Sequence, residues 1–171
     1  MVVLAEYIRD IPDFPKQGIL FKDITTLLHD AAAFRQALDE MEARCRDYGA
    51  TKVLGIESRG FIFAAPLADR LGVGFVPVRK LGRLPAETVQ AEYALEYGTN
   101  TVEMHRDAIT PGERVLIVDD LLATGGTCRA AIDLVEQLGG VVVGCAFLVE
   151  LAFLAGRSRL DGYDLQALIT Y

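Results

Sequence analysis

The chain has 171 residues, 51% of them hydrophobic, and its 24 Asp and Glu against 17 Lys and Arg leave a net charge of −7. That length supports one domain with a core needing no disulfide or metal staple, and an acidic chain without basic runs argues against nucleic acid or an anionic membrane as a partner. No apolar run is long enough to span a bilayer, the opening "MVVLAEYIRD" lacks the apolar centre of a signal peptide, and three widely spaced cysteines, Cys45, Cys128 and Cys145, exclude a zinc pattern and point to free thiols in a reducing, cytoplasmic compartment.

In chain order, "DAAAFRQALDEMEARCRDYG" sets Phe34, Ala37, Leu38, Met41, Cys45 and Tyr48 on one helical face. Asp30 is its N-cap and Gly49 its stop. "KVLGIE" reads as a short buried strand, and "GFIFAAPLADRLG" as a helix closed by Gly72. "GFVPVRK" is a strand whose Pro77 suggests an edge or a bulge. "RVLIVDD" is a strand, "GGTCRAAIDLVEQLGG" a helix, "VVVGCAFLVE" a long strand and "DLQALIT" a last one. This alternation implies an α/β fold: a parallel sheet with helices on both faces and right-handed crossovers.

Leu81 to Pro111 breaks the rhythm with mostly polar sequence and few core signals. Within it "VQAEYALEYG" and "TVEMHRD" read as a hairpin turning across Gly98, Thr99 and Asn100. A polar insertion of this length is expected to be functional, here a lid over a site, or else an idle surface hairpin.

The chemistry concentrates in "VLIVDDLLATGGT", Val115 to Thr127. A buried strand ends on Asp119 and Asp120, at the carboxyl edge where parallel sheets bind ligands. The turn Ala123, Thr124, Gly125, Gly126 and Thr127 then opens a helix, so backbone N–H groups and two hydroxyls converge where the helix dipole favours an anion. It lacks the spacing and lysine of a P-loop, and the chain has no GxGxxG. A carboxylate pair beside an anion cradle suits one ligand, a ribose phosphate, whose hydroxyls donate to the acids. The plainer alternative is a capped helix with two exposed acids.

This stretch resembles the phosphoribosyl pyrophosphate signature of type I phosphoribosyltransferases, and "DDLLATGGT" resembles their adenine-using branch. The resemblance extends through "IPDFPKQGILFKDIT", "ESRGF", "VRKLGRLP", "EYALEYGT" and "LVEL", in the family's order over nearly the whole chain. It implies a single type I phosphoribosyltransferase domain over residues 1–171. Residues 1–30 would form an N-terminal hood carrying the adenine-binding segment, and 81–111 a flexible hairpin lid. It implies an enzyme of purine salvage that converts adenine and phosphoribosyl pyrophosphate into AMP and pyrophosphate. Mg²⁺ would travel on the substrate without a dedicated protein ligand set.

By the same resemblance, Asp119 and Asp120 bind ribose and residues 123–127 bind the 5′-phosphate. Glu57 and Ser58, joined by a cis peptide, bind pyrophosphate together with Arg59, Arg79 and Lys80. Phe21 stacks on adenine while the main chain of Leu20 and Lys22 meets its edge; Lys22 stands where Arg is commoner in the family. Glu96 lies over the purine to hold or deliver a proton, Tyr97 seals the lid, and Arg59 joins Glu96 as a catalytic group. A homodimer is expected, with the helix from Gly60 to Leu71 supplying its interface. A regulator that binds phosphoribosyl pyrophosphate, or a transferase for another base, stays open on these residues. His29 and His105 are lone histidines with no pattern of catalysis around them.

Overall fold

The computed structural model describes residues 2–94 and 98–171. The chain divides into two compact units, Met1–Glu40 and Met41–Tyr171.

In the first unit, β1 (Arg9–Pro12) and β2 (Leu20–Asp23) form a two-stranded antiparallel ribbon. A short helix α1 (Thr25–His29) follows, and then α2 (Ala31–Cys45) begins. Asp30 caps α2 as expected: its Oδ1 accepts from the N–H groups of Ala32 at 3.0 Å and Ala33 at 2.8 Å. The expected face is buried at Ala37, Leu38, Met41 and Cys45, with Ala33 added. The helix tightens into a 3-10 turn at Arg46–Tyr48, and Gly49 stops it in the left-handed region at φ 59°.

The second unit is built on a seven-stranded sheet. Its strands are β3 (Lys52–Ile56), β4 (Gly74–Lys80), β5 (Thr88–Ala94), β6 (Thr99–His105), β7 (Arg114–Leu122), β8 (Val141–Glu150) and β9 (Leu165–Thr170). The spatial order is β5-β6-β4-β3-β7-β8-β9. The five strands β4, β3, β7, β8 and β9 run parallel, and the β5–β6 hairpin joins antiparallel beside β4. Helix α3 (Gly60–Leu71) connects β3 to β4, and α4 (Gly126–Gln137) connects β7 to β8. These two crossovers lead in opposite directions from the centre, so right-handed connections set the helices on opposite faces. Covered on both sides, β7 is a continuous apolar run from Val115 to Val118, all fully buried.

Three expectations change. Pro77 is not on an edge strand, since β4 lies between β3 and β6. It is tolerated because β6 pairs with β4 only at Arg79 and Lys80, beyond the proline. The hairpin also turns earlier than expected: Thr99 and Asn100 are already in β6, opposite Ala94 and Tyr93. Nor is the insertion poor in core residues. Val89, Ala91, Val102, Met104 and Ile109 join the buried cluster that packs with α4. Val89 and Ala91 on β5, and Val102 and Met104 on β6, point to one face, which the polar residues between them conceal in the sequence; Glu103, between the last two, is buried as well.

Candidate active site

Strands β3 and β7 run parallel, but the crossovers that leave them step away in opposite directions across the sheet, and ligands of open parallel sheets bind at such a switch point, beyond the carboxyl ends of the strands. The loop after β3 and the end of β7 meet there. Asp119 and Asp120 close the apolar part of β7; Asp120 is only 4% exposed and Asp119 partly so. Arg59 Nε reaches Asp120 Oδ2 at 2.8 Å. The contact depends on Gly60, because a Cβ there would stand 2.6 Å from Asp119 Oδ1 and 3.1 Å from the Val118 carbonyl oxygen. A side chain there would make the Asp119 carboxylate swing aside and crowd the Val118 carbonyl, disturbing the acid pair beside Arg59.

The acids share one cation and repel each other. Burial raises the carboxyl of Asp119 well above its ordinary range, the charge of Asp120 raises it further, and Arg59 opposes the rise. Burial also raises Asp120, with Arg59 again opposing. Such a pair is poised to accept hydrogen bonds from hydroxyl groups or to share a cation.

Directly after β7, Gly125 adopts φ 81°, a left-handed turn that suits glycine, and α4 begins. The first helical hydrogen bond here runs from the Arg129 N–H to the Gly125 carbonyl at 2.9 Å. The N–H groups of Gly126, Thr127 and Cys128 therefore precede the helical ladder. Asp119, Leu121 and residues 123–128 line a cleft of about 60 Å³. Drug-sized ligand pockets run to about 300–1,000 Å³, so this cleft matches one small anionic group.

A second cluster forms between the end of β3 and the end of β4. The Glu57–Ser58 peptide is cis, as the resemblance implies. The Glu57 carboxylate receives a two-pronged contact from Arg79, Nε at 3.2 Å and Nη2 at 3.0 Å, and the Lys80 N–H at 3.0 Å. The Arg79 guanidinium holds the Glu57 carboxyl below its usual range, since burial, which would raise it, is outweighed. Among the described residues the Lys80 side chain is exposed and has no hydrogen-bonding partner.

The N-terminal unit carries the remaining segment. Phe21 lies on β2 with the Phe14 ring edge-on to it at 5.1 Å. Lys22 makes an ion pair with Asp10 at 2.6 Å, directly across the ribbon. Among the described residues β2 pairs only with β1, so its outer edge keeps main-chain groups unclaimed by a strand. Leu20 and Lys22, two residues apart, point their main-chain groups to the same side. Glu96 and Tyr97 lie outside the described residues.

Comparison with known proteins places this geometry. The model of the phosphoribosyl transferase domain matches residues 25–167. An adenine phosphoribosyltransferase of Solibacter usitatus is 60% identical over 168 residues, 98% of this chain and 97% of the relative. The crystal structure of adenine phosphoribosyltransferase from Thermoanaerobacter pseudethanolicus superposes with a TM-score of 0.96 at 56% identity, covering 99% of this chain and all of that one.

The chain belongs to the adenine phosphoribosyltransferase family.

Another member, from Saccharomyces cerevisiae, is 41% identical with a TM-score of 0.91 over 95% of this chain and 94% of its own. It was solved with adenine and an imino-altritol bisphosphate. In this phosphoribosyltransferase the fold brings Arg59, Asp119, Asp120 and the 123–127 loop together, and sets Glu57, Arg79 and Lys80 in a neighbouring group after β3 and β4. Among the described residues no group of three or more His, Cys, Asp or Glu side chains is arranged to hold a metal. The two acids fit a divalent cation shared with ligand oxygens, not one caged by protein. His105 Nε2 accepts from the Ala86 N–H at 3.4 Å, a structural contact.

Two supporting residues escaped the reading of the sequence. Gly60 stands in the quoted "ESRGF", but only its approach to Asp119 reveals why it must be glycine. Glu103, 3% exposed, accepts from the N–H groups of Arg83 and Leu84, both at 2.9 Å, and so pins the loop leading into the hairpin. Burial raises the Glu103 carboxyl, yet these donors and Thr88 outweigh burial and leave it lowered. An acid inside an apolar strand, "TVEMH", was the available signal.

Proposed function

We propose that the protein transfers the 5-phosphoribosyl group from phosphoribosyl pyrophosphate to adenine, releasing AMP and pyrophosphate. The observation that carries this reading is the sequence of groups at the end of β7: two carboxyls tied to Arg59, then at once an anion-sized cleft at the start of α4. The carboxyls accept hydrogen bonds from the ribose 2′- and 3′-hydroxyls, and residues 123–127 hold the 5′-phosphate. Arg59 stands between ribose and pyrophosphate. Glu57 and Ser58 with Arg79 and Lys80 form the pyrophosphate side, where Glu57 orients Arg79. Magnesium would arrive with phosphoribosyl pyrophosphate; Asp119 and Asp120 are the residues that would face it, and it would supply charge neutralisation for the leaving group.

In the transfer, adenine N9 bonds to the anomeric carbon as the bond to the pyrophosphate oxygen breaks, and pyrophosphate leaves with the electron pair. Positive charge builds on the ribose ring, and the paired acids stabilise it. Phe21 stacks on the base. Main-chain groups of Leu20 and Lys22 read the adenine N1 acceptor and 6-amino donor, a pattern that 6-oxopurines reverse, so the wrong base leaves buried groups unpaired. Glu96 holds the proton at N7 while N9 attacks and takes it as the N9 bond forms, so that the base of AMP ends neutral, and Tyr97 seals the closed lid against water. The enzyme works as a homodimer in the cytoplasm. The outer side of α3, with Ile62, Ala65 and Pro66 outside the core, is the apolar surface offered to a second copy.

A coupled assay with adenine, hypoxanthine, xanthine or orotate, each with phosphoribosyl pyrophosphate and magnesium, tests the reaction. Adenine is expected to give AMP. Turnover of another base with none of adenine would sink the assignment. Glu96→Gln is expected to lower kcat by about two orders of magnitude, the scale of a lost general acid–base group, with adenine affinity much less changed. Unchanged turnover across the working pH range would remove Glu96 from the mechanism.

A further inference from the structure

Beyond the end of β8 the chain makes a tight excursion with no role in the site described above. Ala152–Leu154 is a 3-10 turn, Ala155 takes a positive φ of 52°, and a second 3-10 segment runs from Gly156 to Leu160. The excursion is tied down at both ends. The Ala155 carbonyl accepts from the Ser158 hydroxyl at 2.7 Å and its N–H at 3.1 Å, and Leu160 is buried in the core. Arg157 donates Nε to Glu150 Oε1 and Nη2 to Glu150 Oε2, each at 2.7 Å. Glu150 is the last residue of β8 and only 5% exposed.

Gly156 sits where the excursion turns back on the sheet, and it meets the 123–127 loop backbone to backbone. A Cβ on Gly156 would overlap the Ala123 carbonyl oxygen and lie 3.1 Å from the Gly125 nitrogen. The contact is mutual, since a Cβ on Gly125 would lie 2.5 Å from the Gly156 carbonyl oxygen. The two backbones meet directly, with the Arg159 side chain alongside, its Cβ 3.4 Å from where a Cβ on Gly125 would stand, so a displacement of the 155–160 turn passes into the loop.

We propose that the 155–160 turn, locked to β8 by the Arg157–Glu150 fork, is the rear wall that holds the 123–127 loop in its anion-binding shape, with Gly156 as a positioning residue. This rests on the reading of that loop as the 5′-phosphate site. An anion cradle made of N–H groups works only while their directions converge, and a loop with glycines at its centre cannot hold that convergence alone. The wall supplies the missing stiffness from behind, on the side away from the ligand.

The test compares Kd values by calorimetry for ribose 5-phosphate, which occupies the loop, and for pyrophosphate with magnesium, which does not. Gly156→Ala is expected to weaken ribose 5-phosphate by about tenfold or more, the scale on which a displacement of about an ångström in a positioning element is felt, with pyrophosphate within about twofold of wild type. Arg157→Gln, which keeps an amide donor for the buried Glu150 carboxylate, is expected to show the same selective loss, and Arg157→Lys to restore part of it by keeping the charge and one of the two bonds. If Gly156→Ala does not fold, the Arg157 pair decides. Ribose 5-phosphate binding to Arg157→Gln at wild-type strength, or an equal loss for both ligands, would overturn the rear wall. Wild-type protein that binds ribose as tightly as ribose 5-phosphate would instead refute the 5′-phosphate reading, and the rear wall would fall with it.

Discussion

Asp119 and Asp120 show how a single residue can be worse for the free fold than for its ligand. The Asp119 carboxyl titrates above its ordinary value because burial and the neighbouring charge oppose ionisation. The unfolded chain therefore gives up this proton more readily than the folded one. The group costs no stability below its unfolded value near 3.8, and stability declines as pH rises past that value toward the raised folded one. Asp119→Asn removes the repulsion. It is expected to raise the Tm near neutral pH by about 2–4 °C. The same change is expected to lower kcat/KM by about ten- to hundredfold, the worth of one charge-assisted hydrogen bond. Scanning calorimetry with steady-state kinetics checks both. Efficiency within a factor of two of wild type would remove Asp119 from ribose binding. The Asp pair was legible because two charges cannot end a buried strand without a partner. Arg59 as that partner was not, since its approach is set by the packing of Gly60 on β7.

Among the elements, the β1–β2 ribbon depends most on polar pairing. Two ion pairs cross it at adjacent register positions, Arg9 with Asp23 and Lys22 with Asp10. Asp23 also accepts from the Thr25 N–H at 3.0 Å. That backbone bond first, then Arg9 and the Thr25 hydroxyl, lower the Asp23 carboxyl from 3.8 to about 2. A lowered folded value means that the stabilisation is complete above the unfolded value and lost as pH falls through the folded one. The ribbon is therefore expected to loosen between about pH 4 and pH 2. Amide protection factors in β1 and β2 should fall over that window in the wild type, while Asp23→Asn is weakly protected throughout. Equal protection in the two proteins at pH 6 would show that the pairing contributes nothing. The ribbon itself was not predicted as a pair of strands, because four-residue strands carry too few alternations to show a period. The long elements α2, α3, β7, α4 and β8 were readable because each repeats its pattern over several turns or alternations.

For the whole molecule, the switch in crossover direction between the parallel neighbours β3 and β7 is what turns scattered motifs into one site. It brings "ESRG" and "VDDLLATGG", which begin far apart in the chain at Glu57 and Val118, to neighbouring strand ends. A dimer is expected at micromolar concentration in sedimentation velocity, with α3 in the interface, and a Pro66→Glu variant is expected to shift it to monomer. A monomeric wild type would count against the assembly. Sequence alone determined the alternating α/β order, the caps at Asp30 and Gly49, the acids and the glycine turn after β7, and the family likeness. All of these rest on residues close together in the chain, where periodicity and backbone freedom act. Tertiary structure decided the rest: the antiparallel hairpin built into the sheet beside β4, the tie of Arg59 to Asp120, the clasp of Glu57 on Arg79, and Gly156 behind the loop. These are contacts between distant segments, and they follow from which strands lie side by side and how closely two backbones approach, neither of which is written in any local pattern.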